Sequence, residues 1–74
     1  MTSELMDPRA YRRLAAMIRL EIRNGSLLRG EPTPSITALS HEHGYARQTC
    51  SKALRMLEDE GLVARFPGLG YYVS

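Results

Sequence analysis

Arg47, Gln48, Ser51 and Lys52 stand one, three and four residues apart, the spacing that lines up side chains on one face of a helix. Their types are those that read nucleic-acid bases. A guanidinium such as that of Arg47 donates a forked pair of hydrogen bonds to O6 and N7 of guanine, and a carboxamide such as that of Gln48 pairs in a two-pronged way with adenine. Thr49 is short enough to meet a thymine methyl or a phosphate. Arg65 offers a second point of contact ahead of Phe66-Pro67-Gly68-Leu69-Gly70-Tyr71. An arginine at a hairpin tip can enter a narrow minor groove, where A·T tracts deepen the negative potential, and Gly68 and Gly70 allow close approach of the backbone. The Ser35 hydroxyl, directly after Pro34, suits both a helix cap and a phosphate.

Other chemistry finds little support in the sequence. His41 and His43 flank Glu42 without the i, i+4 spacing of a zinc-binding helix, so surface or turn positions are expected for both. The single cysteine, Cys50, cannot form an intrachain disulfide or a cysteine-based zinc site, and it falls on an apolar helical stripe as a small core residue. Glu58, Asp59 and Glu60 are consecutive and fan around a helix end, an arrangement that is usually solvated. Acids near a helix C-terminus oppose the dipole, which argues against a stability role for them. No catalytic residue, metal or cofactor is therefore expected, and the chain does not read as an enzyme.

The elements that would position the contact residues are legible in the spacing. Tyr11, Leu14, Ala15, Ile18 and Ile22 recur every three or four residues behind Pro8, which predicts an amphipathic first helix. Asp7 is its expected cap, and Asn24-Gly25 its end. Arg12, Arg19 and Arg23 fall outside the apolar stripe and should face water or phosphate. Leu27 and Leu28 should fold back onto the core. Glu31-Pro32-Thr33-Pro34 is held extended by its prolines, and Ser35 then caps a short helix that Gly44 closes. A third helix starts near Ala46 or Arg47 and ends by Gly61, with Cys50, Ala53, Leu54 and Leu57 facing inward. Residues 62–66 and 69–73 alternate as two strands around Pro67-Gly68, with Tyr71 and Val73 on one face and Tyr72 on the other.

This order defines an α+β fold, a small winged helix-turn-helix. Three helices are followed by a two-stranded antiparallel wing, with room for a short extra strand near Thr33. With 74 residues, 43% of them apolar, the chain supports one small core and modest stability. Residues 1–7 read as a flexible tail and residues 8–74 as the folded domain. The net charge of +2 is small, yet residues 8–29 carry six arginines against Glu21 alone, a basic face that could attract phosphates. No apolar run is long enough to span a bilayer, and residues 1–7 lack the form of a signal peptide. A cytoplasmic protein without a membrane partner is expected.

Beyond these patterns, the chain resembles the N-terminal winged-helix domain of the GntR family of bacterial transcription regulators. The resemblance covers Tyr11 to Val73. It rests on Tyr11, Leu14, Ile18, Ile22, Gly25, Leu27 and Gly30, then Pro34-Ser35, Leu39, Gly44, Arg47, Thr49, Ala53-Leu54 and Leu57, and finally Glu60-Gly61-Leu62-Val63, Gly68, Gly70 and Val73. It implies sequence-specific binding of double-stranded DNA, with Arg47, Thr49 and Gly68 as carried-over contacts, and a homodimer on a palindromic operator. The family's Ser-Arg-x-Thr pattern stands here as Ala46-Arg47-Gln48-Thr49, so the serine cap of the recognition helix is missing. The arginine found two residues after the Pro-Ser serine is Thr37, which implies a lost phosphate contact. The arginine usual at position 51 is Ser51, with Lys52 beside it. The small net charge, Thr37 and Ala46 motivate a rival reading, a protein-interaction module that has lost DNA binding. Its mark is an exposed apolar patch involving Tyr45, Tyr71 or Tyr72.

Overall fold

A computed structural model of the chain describes residues 8–74; the expected tail and the Asp7 cap lie outside these residues. Helix α1 spans Pro8–Arg23, α2 Ile36–His43 and α3 Arg47–Asp59, followed by strands β1, Val63–Phe66, and β2, Gly70–Val73. The strands pair antiparallel, with Val63 opposite Val73 and Phe66 opposite Gly70. This is the winged helix-turn-helix order, and the helix and strand bounds depart from the sequence reading by a residue or so.

One core binds the elements together. Leu14, Ala15 and Ile18 of α1 meet Leu39 of α2, Cys50, Ala53, Leu54 and Leu57 of α3, and Val63 of β1. Ala53 is fully buried at a point where a larger side chain would push the helices apart. Burial pushes the Cys50 thiol above its usual pKa, partly offset by the nearby positive charge of Arg47, so the sulfur stays protonated and behaves as a small hydrophobe. Tyr11, Ile22, Leu27, Ile36 and Tyr71 pack around this centre. Leu28 departs from the expectation. It is 57% exposed, because its backbone N–H is tied to the Glu31 carboxylate at 2.7 Å in a turn that leaves the side chain outside.

The segment before α2 forms the extra strand in rudimentary form. Gly30 N–H donates to the Val73 carbonyl at 2.8 Å, Val73 N–H to Glu31 at 2.8 Å, and Thr33 N–H to Tyr71 at 2.9 Å. Pro32 bridges Tyr72 across this edge. Prolines at 32 and 34 have no N–H to give, so the pairing stops after one bridge. The free edge of β2 is nevertheless covered, and the wing is fastened to the body at its base.

The turn between α2 and α3 is built from local hydrogen bonds. Ser35 caps α2 through its hydroxyl, which accepts from Ala38 N–H at 3.0 Å. Gly44 closes α2 at φ +74°, a left-handed conformation that carries a steric penalty for any residue with a Cβ. Ser40 Oγ donates to the Tyr45 carbonyl at 2.6 Å, and Tyr45 stacks against His43 with ring centroids 6.2 Å apart. Ala46, in extended conformation at φ −63°, ψ 151°, supplies no side-chain cap to α3. Its backbone geometry already suits a serine. Replacing it, Ala46→Ser, is expected to stabilise the domain by about 1 kcal/mol, read as a higher urea midpoint at unchanged slope.

Candidate nucleic-acid interface

α3 presents its first two turns outward. Arg47, Gln48 and Lys52 are exposed and Ser51 is half-buried at the edge of the same face. Thr49 does not join them. Only 4% of it is exposed, since it turns toward α1 and forms part of the floor of a hollow walled by Gln48, Lys52 and Arg55. The one-residue offset from Gln48 rotates a side chain by roughly 100° on a helix, enough to carry Thr49 from the outer face to the inner one.

Arg47 is held rather than loose. Its Nη1 donates to Thr37 Oγ1 at 2.7 Å, a bond between the first residue of α3 and the second residue of α2. Thr37 therefore orients the guanidinium of Arg47 while leaving its other donors available. The sequence alone gave no sign of this pairing, because the two residues are brought together only by the angle between α2 and α3.

The wing faces the same side. Arg65, Gly68 and Gly70 line a cleft whose opposite wall holds Ser35, Thr37 and Arg47. Arg65 stands on the stem of the hairpin, opposite Tyr71, and not at its tip as expected. In a strand, residues two apart share a face, so Arg65 follows Val63 toward the body and lies over the cleft. The tip itself is Pro67-Gly68-Leu69, a tight turn in which Leu69 N–H donates to the Phe66 carbonyl at 2.9 Å and Gly68 sits at φ +81°, the conformation that follows proline in a type II turn. Leu69, expected to open the second strand, lies in this turn instead and is 72% exposed. Behind it Phe66 and Tyr72 meet edge-on, 5.5 Å between centroids.

The acidic run behaves differently from the expectation. Arg19 Nε and Nη2 form a fork on the two Glu60 oxygens at 2.9 and 2.6 Å, so Arg19 is occupied by a carboxylate, and Glu60 helps to fasten the end of α3 to α1. Sequence separation of 41 residues hides this pair from local pattern. The hydrogen bonds from Arg19 hold the Glu60 carboxyl below its usual pKa, despite opposing desolvation. A depressed carboxyl stabilises the fold above its unfolded pKa of about 4.3 and loses that contribution as pH falls through the folded value. Glu60→Gln is expected to cost at most about 1 kcal/mol at pH 7, given the exposure of the pair. The gap from the unaltered chain should narrow in urea unfolding below about pH 4. A gap independent of pH would show that the ion pair contributes nothing.

The arrangement as a whole sets a basic, polar helix face and a hairpin on one side, with the acids of α3 confined to its far end. Comparison with known proteins agrees with this reading. The family described as bacterial regulatory proteins, gntR family, matches residues 10–73. The chain is 39% identical over 64 residues to the histidine utilization repressor of Pseudomonas putida, covering 86% of this chain and 26% of that protein. It is 38% identical over 64 residues to the mannosyl-D-glycerate transport/metabolism system repressor MngR of Escherichia coli strain K12, covering 86% of this chain and 27% of that protein. It thus spans about a quarter of the length of these relatives. Among solved structures, AraR(DBD) in complex with operator ORX1 superposes with a TM-score of 0.86 at 30% identity, covering 99% of this chain and 87% of that one. With 64 of its positions matched and the same helices and wing in place, the chain belongs to the GntR family of bacterial regulatory proteins, and the fold described above is that family's winged-helix DNA-binding domain.

Proposed function

We propose that this domain binds double-stranded DNA sequence-specifically as part of a bacterial transcription regulator. α3 lies in the major groove and the wing approaches the adjacent minor groove. The observation that carries this reading is the shared orientation of Arg47 on α3 and Arg65 on the wing, which border one cleft with no acid between them. Arg47 and Gln48 face bases, where each two-pronged contact discriminates by about 1–3 kcal/mol. Ser51 follows one turn on, and Ser35 and the backbone of Gly68 and Gly70 meet phosphates. AraR(DBD), similar in fold and sequence, is described in complex with an operator, which supports the partner proposed here. The proposal extends to the reading of a palindrome by two copies, about one helical turn apart, and to a cytoplasmic location beside the DNA. The rival reading as a protein-interaction module needs Tyr45, Tyr71 or Tyr72 in an exposed apolar patch; all three are half-buried, and the exposed apolar group that meets one of them is Phe66, edge-on to Tyr72 on the wing.

The test is a titration of the domain with a pool of labelled random-sequence duplexes, followed by selection of those it retains. An enriched sequence, with amide signals shifting around Arg47 and Gly68, supports the reading. Retention without any enrichment removes sequence specificity, and no shift with any duplex at low salt ends the proposal. Mass measurement of the complex on the enriched duplex counts the chains bound.

A further inference from the structure

The side of α3 turned away from the wing carries a second basic feature. Tyr11 of α1 leans against α3 and, with Gln48, Ser51, Lys52 and Arg55, walls an open hollow floored by Thr49. Lys52 Nζ sits 4.8 Å from the centroid of the Tyr11 ring, a cation–π distance that holds a flexible ammonium in place. The Arg12 guanidinium lies 6.0 Å from the same ring. No acid lines the hollow, and neither Lys52 nor Arg55 makes an ion pair among the described residues. Asp59 borders an adjoining hollow that Tyr11, Lys52 and Arg55 also line, without an ion pair to either cation.

We propose that this hollow is a phosphate-binding site for the DNA backbone, with Lys52 and Arg55 as the anion-holding groups and Tyr11 as the residue that positions Lys52. The proposal rests on the DNA-binding reading above and adds a second grip to it. An α-helix with its side chains is about 10–12 Å across, and the major groove is about 12 Å wide. A helix seated there has a phosphate wall along each flank. Ser35 and Arg65, which border the cleft beside the wing, serve the flank on that side. Gln48, Ser51, Lys52 and Arg55 repeat at the i, i+3, i+4 and i+7 spacing of a single stripe, which runs from Gln48 at the bases to Lys52 and Arg55 on the other flank. Lys52 is thus a fixed point charge for phosphate and carries no base information.

The experiment measures binding of a labelled random-sequence 20-base-pair duplex between 25 and 200 mM salt, roughly the range over which phosphate contacts are separated from other terms. For Lys52→Gln and for Arg55→Gln, the slope of log affinity against log salt is expected to shrink by about 0.9 each. Tyr11→Leu, which keeps apolar bulk but removes the ring, lowers affinity at low salt several-fold, and Tyr11→Phe, which keeps the ring, restores it. Urea midpoints close to that of the unaltered chain show that the variants are folded. If Tyr11→Leu does not fold, Tyr11→Phe and the two charge variants decide alone. Duplex binding by the unaltered chain with an unchanged slope in Lys52→Gln and Arg55→Gln overturns this site and leaves the DNA-binding reading standing. Absence of duplex binding by the unaltered chain overturns both.

Discussion

Leu57→Ala is expected to remove about 2–5 kcal/mol from the stability of the domain. Leu57 is fully buried within the cluster that joins α3 to α1, α2 and β1. Truncating a buried leucine removes its transfer free energy and leaves a cavity that neighbours fill only in part, a loss of about 2–5 kcal/mol. A domain of this size holds a small core, and about 5 kcal/mol, the low end of the usual range, is a reasonable total. The substitution therefore removes a large share of all the stability present. The other large fully buried side chains of the cluster are Leu14, Leu39, Leu54 and Cys50, and Met56, the flexible side chain beside them, lies only partly buried at its edge. Urea unfolding followed by circular dichroism reads the effect directly. A shift in midpoint below that equivalent to about 1 kcal/mol would mean that Leu57 is not a keystone of the core.

Arg47→Ala is expected to separate binding from folding. Affinity for the duplex enriched by the unaltered chain should fall by roughly 5- to 150-fold, the equivalent of about 1–3 kcal/mol for one two-pronged base contact. Stability should stay within about 0.5 kcal/mol. Two small effects oppose each other. The bond to Thr37 is lost, while a positive charge is removed from the first turn of α3, where the helix dipole disfavours it. The cation sits there against local preference, which is the mark of a residue kept for something other than stability. Affinity for random duplex should fall far less than affinity for the enriched one. Equal losses on both would reassign Arg47 from bases to phosphates.

These two positions illustrate what can and cannot be read from linear order. Leu57 belongs to a stripe with Cys50, Ala53 and Leu54, and the period of that stripe places it inside before any coordinates are known. Arg47 is legible as exposed for the same reason. Its partner is not, because Thr37 lies ten residues away on another helix. The Gly44 turn could be anticipated from one residue's tolerance of positive φ. The angle it sets between α2 and α3 could not.

Linear order accounts for the elements and their succession: the apolar repeats of α1 and α3, the Ser35 cap, the glycine break, and the alternation of the wing around Pro67-Gly68. Each follows from neighbours a few residues apart, whose backbone geometry and periodic burial are local matters. Tertiary structure decided the rest. It turned Thr49 inward, put Arg65 over the cleft instead of at the tip, paired Arg19 with Glu60, and brought Tyr11 against Lys52. These outcomes depend on how the helices cross and where the hairpin leans, and such angles are set by packing of the whole core at once, which no short stretch of chain encodes.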